Sequence, residues 1–133
     1  AYANPDKKVV CFTGDGSLLM NIQELATLAD LNLNLAVILF NNGHLGLVRQ
    51  QQEMFYNQNF IASQFTRNPD FITIAEGFGI RSYDLESTDE PVSLLAKALS
   101  EKGPCLINVP IQHSLKVLPM VPPGAANIDS IGG

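Results

Sequence analysis

One short run constrains the fold of this chain more than any other feature. Residues 35–40 read LAVILF, without a polar side chain, and the run stops at Asn41-Asn42-Gly43. A strand with one wet face alternates apolar and polar residues; a strand apolar throughout is buried on both faces. Helices on both faces of a sheet imply parallel strands joined by right-handed crossovers.

The flanking sequence fits that frame. Residues 9–13, VVCFT, predict a short buried strand ending at Gly14. Leu18, Ile22, Leu25, Ala26 and Ala29 share one face of a predicted helix over 18–31, which Asn32 and Asn34 can close through a left-handed residue. A second helix is expected from about Leu45 through VRQQQEM, followed by a polar and aromatic loop from Phe55 to Arg67. Asn68-Pro69-Asp70 predicts a helix start with Asn68 as the N-cap, and Phe71, Ile72, Ala75 and Phe78 as the inner face up to Gly79. Ile80 to Asp84 is a strand candidate. Thr88 to Pro91 opens a helix with Leu94, Leu95, Ala98 and Leu99 inward, and Gly103-Pro104 stops it. CLINV, residues 105–109, is the last strand. The expected class is α/β, a parallel sheet with helices on both faces.

Composition excludes several function classes. Thirteen acidic residues against eight basic ones leave a net charge of −5, with no Lys/Arg cluster, so neither nucleic acid nor an anionic membrane is an expected partner. Cys11 and Cys105 lie in apolar runs without CxxC spacing, which reads as two buried free thiols in a reducing compartment. No apolar stretch has membrane-spanning length and no signal-peptide pattern opens the chain, so a cytoplasmic location is expected. The opening residues, AYANPDKK, carry no cap signal and read as the edge of something longer.

Ligands of a parallel α/β sheet bind beyond the carboxyl ends of its strands. Two successive ends here carry unusual residues: Gly14-Asp15-Gly16-Ser17 and Asn41-Asn42-Gly43-His44. If the two strands are neighbours, Asp15 and Asn42 converge. A carboxylate and an amide oxygen are hard ligands, suited to Mg²⁺ or Ca²⁺ rather than zinc. Gly14 and Gly16 allow close backbone approach, and the N–H groups of Gly16 and Ser17 at a helix start can face an anion. A diphosphate chelated to Mg²⁺ meets both demands. Taken singly, DG and NNG are ordinary turn signals. Their occurrence at consecutive strand ends, one crossover apart, is what points to a site.

Gly14-Asp15-Gly16-Ser17 followed by Asn41-Asn42 resembles the thiamin diphosphate signature, GDG…NN. Beyond the motif, NIQELATLADLNL, NNGHLGLVRQQQEMFY, NPDFITIAEGFGI, KGPCLINV and VLPMVPPGAAN resemble the C-terminal thiamin diphosphate-binding domain of acetolactate synthase (acetohydroxyacid synthase) large subunits, over nearly the whole chain. The resemblance implies a thiamin diphosphate-binding fold that is truncated at its amino end, with a domain over 1–112 and a tail over 113–133 that wraps the domain or a neighbour. It implies Mg²⁺ held by Asp15, the Asn42 side chain and the His44 carbonyl, and diphosphate held by Gly16 and Ser17 with help from His44 and Gly46. Leu47 matches a position beside the thiazolium and the pyruvate site. Gln51 matches a position that is usually Trp and favours 2-ketobutyrate as second substrate, so the acceptor preference stays open. The implied reaction is decarboxylation of pyruvate and condensation with a second 2-keto acid, in branched-chain amino acid biosynthesis. FAD, a homodimer or tetramer, and a regulatory subunit are implied for the full-length enzyme.

The glutamate that activates the cofactor in that family belongs to an N-terminal domain, and no residue here matches it. Glu24 reads as a surface or interface residue; Glu53 and Glu76 read as helix-face charges. The chain alone is expected to be inactive and to bind the cofactor weakly. His44 reads equally as a turn residue or a phosphate partner, Arg49 as a solvated or interface arginine, and Phe55, Tyr56 and Phe60 as packing or part of a lid. His113 carries no assigned role. Two other readings stand beside the first: another thiamin diphosphate-dependent decarboxylase or carboligase, acting on glyoxylate or another oxo acid, and a non-catalytic nucleotide-binding module. The second lacks GxGxxG and a P-loop lysine.

Overall fold

A computed structural model describes residues 1–132. The elements run β1 (Val9–Gly14), α1 (Asp15–Met20), α2 (Glu24–Asp30), β2 (Leu35–Asn41), α3 (Gly46–Phe55), α4 (Phe71–Gly77), β3 (Arg81–Asp84), α5 (Pro91–Ser100) and β4 (Cys105–Pro110), with a short 3₁₀ turn at Asn127–Asp129. The four strands are parallel in the order β1-β2-β4-β3. The α/β class expected from LAVILF is therefore present.

Helices cover both faces. Leu39 and Leu106 point to one side, where Leu18, Leu25, Phe71, Ala75 and Ile80 from or beside α1, α2 and α4 meet them. Ala36, Ile38, Cys105 and Ile107 point to the other, against Ala98 of α5. Burial pushes the Cys105 thiol above its ordinary pKa. Near the amino end of β4, Arg81 pairs with Glu101, the Tyr83 hydroxyl donates to Glu101 Oε2 at 2.7 Å, and Lys8 Nζ donates to the Glu101 carbonyl at 2.6 Å. Desolvation, and then the Glu101 contact, push the Tyr83 hydroxyl up to about 12.

Four expectations need correction. β1 is an edge strand, not a buried one: it pairs with β2 alone, and α5 packs on β3 and β4 rather than over it. Val10, Cys11 and Phe12 are consequently exposed, and Phe12, 66% exposed, stacks on Phe40 at 5.9 Å between centroids. Cys11 is thus not a buried thiol. The helix expected over 18–31 is two helices. It leaves α geometry at Asn21, φ −134°, and crosses Asn21 to Gln23 on tight bonds such as Glu24 N to Asn21 O. Asn32 then takes the expected left-handed turn, φ 44°. Finally, Asp70 rather than Asn68 caps α4. Its carboxylate accepts from Thr73 N at 3.0 Å and from Thr73 Oγ1 at 2.6 Å, which holds the Asp70 carboxyl below its usual range.

Residues 113–132 run along the domain. Met120 and Ile131 pair as an antiparallel bridge, and Lys116 Nζ lies 2.7 Å from Glu53 Oε1 on α3.

Candidate functional site

β1 and β2 are sheet neighbours in the register Gly14 to Phe40, so the Gly14-Asp15 and Asn41-Asn42 ends lie side by side. The physical reason is local. Gly14 is extended, φ −94° and ψ 164°, and α1 begins at Asp15 directly after it. Asp15 is 3% exposed, and a buried carboxylate needs donors. Oδ2 accepts from the backbone N–H groups of Asn42 at 3.1 Å and Gly43 at 2.7 Å; Oδ1 accepts from Gly16 N at 2.7 Å. The carboxylate thereby pins the β2 turn, 27 and 28 positions away in sequence, to the start of α1.

The paired amides divide the work. Asn42 faces the cavity, and its Oδ1 accepts from His44 N at 3.0 Å. Asn41 turns the other way. Its Nδ2 donates to Asn108 Oδ1 at 3.1 Å, its Oδ1 accepts from Asn68 Nδ2 at 2.9 Å, and Asn108 Nδ2 donates to Asp84 Oδ1 at 2.8 Å. That chain of amides ties the ends of β2, β4 and β3 together. Gly43, φ 65°, supplies the left-handed residue the turn requires. Asn68 was expected only as a helix cap, and Asn108 had no expected role. The signal for Asn108 was a polar residue inside the apolar run CLINV.

All eight residues expected to hold the cofactor, Gly14, Asp15, Gly16, Ser17, Asn42, His44, Gly46 and Leu47, line one cavity of about 550 Å³ beyond the strand ends. Leu47 and Val48 contribute exposed apolar surface to it. Gln51 lies outside, on an adjoining cavity of about 270 Å³ that shares the Val48 wall. His44 is buried, its Nδ1 lies 2.7 Å from the Asn42 carbonyl, and its ring stacks on His113 with centroids 4.8 Å apart. The tail thus reaches the site through a residue that carried no sequence assignment.

The donor set suits a hard cation bound together with a phosphate. A carboxylate has about four lone-pair sites and an amide oxygen two. Three bonds on Asp15 and one on Asn42 leave capacity on both. Among the described residues, no backbone N–H donates to the His44 carbonyl. No group of three His, Cys, Asp or Glu side chains gathers anywhere among the described residues, so the chain offers the cation one carboxylate and neutral oxygens. Mg²⁺ characteristically completes such a set with water and substrate phosphate oxygens. Close approach is built in as well: a Cβ on Gly46 would stand 3.0 Å from Asn42 Nδ2, and one on Gly16 would stand 2.6 Å from Leu45 Cδ2. α1 is only six residues long, so a helix dipole adds little, and the Gly16 N–H is already turned onto Asp15.

Comparison with known proteins agrees with this geometry. Residues 1–109 match the family model described as the thiamine pyrophosphate enzyme, C-terminal TPP binding domain. The acetolactate synthase isozyme 1 large subunit of Escherichia coli (strain K12) is 49% identical over 132 residues, covering 99% of this chain and 24% of the relative. The isozyme 2 large subunit of the same organism is 40% identical over 97% of this chain and 24% of its own length. The chain therefore spans about a quarter of the length of these curated relatives. Among solved structures, the benzoylformate decarboxylase from Polynucleobacter necessarius superposes with a TM-score of 0.77 at 27% identity, over 88% of this chain and 22% of that one. The thiamine diphosphate-dependent 4-hydroxybenzoylformate decarboxylase of Rhodococcus jostii RHA1 gives 0.74 at 28%, over 84% and 21%. Parallel sheet, paired strand-end motifs and family match converge: this chain belongs to the thiamine pyrophosphate enzymes, as a C-terminal TPP-binding domain.

Proposed function

We infer that this chain is the diphosphate- and Mg²⁺-binding segment of an acetolactate synthase large subunit. The full-length enzyme condenses pyruvate with a second 2-keto acid, pyruvate or 2-ketobutyrate, in branched-chain amino acid biosynthesis. The observation that carries this is the Asp15 carboxylate bound to the Asn42-Gly43 turn, at the mouth of a cavity lined by all eight candidate residues. The 49% identity to an acetolactate synthase over 99% of the chain supports the particular chemistry.

Asp15, Asn42 and the His44 carbonyl would hold Mg²⁺; Ser17, His44 and Gly46 would hold the diphosphate, with Gly16, whose N–H serves Asp15, giving it room to approach. When bound, thiamin diphosphate supplies the electron sink for losing CO₂ from a 2-keto acid and for joining the remainder to a second one. The residues of this chain bind and orient it. Asp15 fixes the turn, Asn42 presents its amide oxygen, and Leu47 and Val48 keep water from the reacting end. Gln51, on the adjoining cavity, faces the acceptor. The activating glutamate, FAD, the partner subunit and a domain boundary near residue 112 belong to this same reading of the full-length enzyme.

The experiment is product analysis. With thiamin diphosphate, Mg²⁺ and pyruvate, the full-length subunit carrying this segment forms acetolactate and CO₂. Acetaldehyde or tartronate semialdehyde as the main product, the latter from glyoxylate, would assign it to another decarboxylase or carboligase.

A further inference from the structure

Three consecutive glutamines on α3 do three different things. Gln50 is 4% exposed and grips the tail: Nε2 donates to the Val117 carbonyl at 2.9 Å and Oε1 accepts from Val117 N at 2.8 Å. Gln52 grips the following loop in the same way. Its Nε2 donates to the Ile61 carbonyl at 2.8 Å, and its Oε1 accepts from Ile61 N at 3.4 Å. Gln51 stands between them, makes no side-chain hydrogen bond among the described residues, and opens onto the cavity walled by Val48, Tyr56 and Ile61.

The loop over 56–62 needs such a grip. Its residues are exposed, and Asn57, Gln58 and Ala62 hold φ of 53°, 59° and 52°, a region that costs a side-chain-bearing residue energy. A second side-chain contact ties it to α3: the Arg49 guanidinium lies 4.0 Å over the Phe60 ring. Glu53, one turn on from Arg49, is occupied by Lys116, which leaves the guanidinium to the ring.

We propose that Gln52 is a positioning residue for acceptor choice: its amide grip on the Ile61 peptide sets where the Ile61 side chain stands across the cavity from Gln51. This rests on the assignment of Gln51 to the acceptor given above. Pyruvate and 2-ketobutyrate differ by one methylene, so a small displacement of one apolar wall changes which of them the cavity favours. The 270 Å³ cavity, which Gln52 itself lines beside Ile61, has room for either alkyl group, and among the described residues Ile61 is the wall residue whose peptide a side chain clamps. Val48, common to both cavities, keeps that wall next to the cofactor end.

The test compares wild type, Gln52→Ala and the volume-preserving Gln52→Met in the full-length subunit. Pyruvate and 2-ketobutyrate compete, and the ratio of the two acetohydroxy acids is read. Both variants shift the ratio by about threefold or more, with KM for pyruvate and for thiamin diphosphate within about twofold of wild type. A ratio that stays put in both, or one that moves only as the two KM values rise together, overturns the proposal. Chymotrypsin gives an independent readout: cleavage at Phe60 rises about fivefold in both variants, as a released loop requires. Unchanged cleavage contradicts the clamp. A wild-type enzyme that forms neither product would overturn the function assigned above instead, and the chymotrypsin result would still decide the clamp. If Gln52→Ala fails to fold, Gln52→Met carries both readouts.

Discussion

Asp15 Oδ2 accepts the Gly43 N–H at 2.7 Å across 28 positions of sequence, making one carboxylate the hinge pin of the site and, in the function proposed above, the charged ligand of its cation. Two consequences separate in Asp15 variants. Asp15→Ala leaves the Asn42 and Gly16 N–H groups without their acceptor and the Gly43 N–H with only Asn41 Oδ1 at 3.3 Å, at a cost of about 1–3 kcal/mol for each donor left unpaired. Thermal or urea unfolding reads that loss. Asp15→Asn keeps one acceptor oxygen and removes the charge, so it unfolds closer to wild type and loses cofactor.

Gly46 and Gly77 give a paired test of close approach. A Cβ at Gly46 meets Asn42 Nδ2 at 3.0 Å, whereas one at Gly77 meets nothing within 4 Å. Gly46→Ala pushes the Asn42 amide aside and, if that amide holds Mg²⁺ as proposed, weakens Mg²⁺-dependent cofactor binding by about tenfold, roughly 1.4 kcal/mol. Gly77→Ala, at the last residue of α4, stabilises the fold by about 0.5–1 kcal/mol. Calorimetric titration checks the first and thermal unfolding the second.

Gln50 holds the tail from a buried amide that bonds the Val117 peptide on both sides and donates to Met120 Sδ at 3.2 Å. Gln50→Ala frees the stretch around Val117, and trypsin cleaves at Lys116 about tenfold faster, in line with the larger open population. Equal cleavage in wild type and variant would show that the tail is held by other contacts.

Tyr83 makes stability fall at alkaline pH. Its folded pKa, about 12, lies above the ordinary 10, so folding favours the protonated hydroxyl. The contribution is complete below pH 10 and is lost as pH rises toward 12. Urea midpoints measured across that range drop more steeply for wild type than for Tyr83→Phe. The acid side has the opposite sign. Asp70 and Glu101 are held below their usual range by the Thr73 and Tyr83 contacts, so their contribution is present above that range and fades as pH falls through it.

Much of the sheet was legible in the sequence. AVIL, residues 36–39, is buried because helices cover both faces of its strand, and the parallel α/β class follows from the alternation of apolar runs and helical stripes. The site was legible for a related reason: both motifs sit at strand ends, and a parallel sheet brings strand ends to one edge. What was missed depends on position in space. VVCFT has the composition of an inner strand, and only the sheet order makes it an edge. Asn68 and Asp70 are both good caps; the helix starts at Phe71, which puts Asp70 within reach of Thr73 N, while Asn68 donates its amide to Asn41 instead. His113 was unreadable because its partner, His44, lies far along the chain and meets it only through the docked tail.

The most direct measurement is calorimetric titration of thiamin diphosphate into the full-length subunit carrying this segment, wild type and Asp15→Asn, with Mg²⁺ and with EDTA. Wild type binds with Mg²⁺ and loses that affinity in EDTA; Asp15→Asn binds at least about 30-fold more weakly with Mg²⁺, the loss of one charged partner. Equal affinity of the two proteins in Mg²⁺, or wild-type binding that survives EDTA unchanged, would contradict the account.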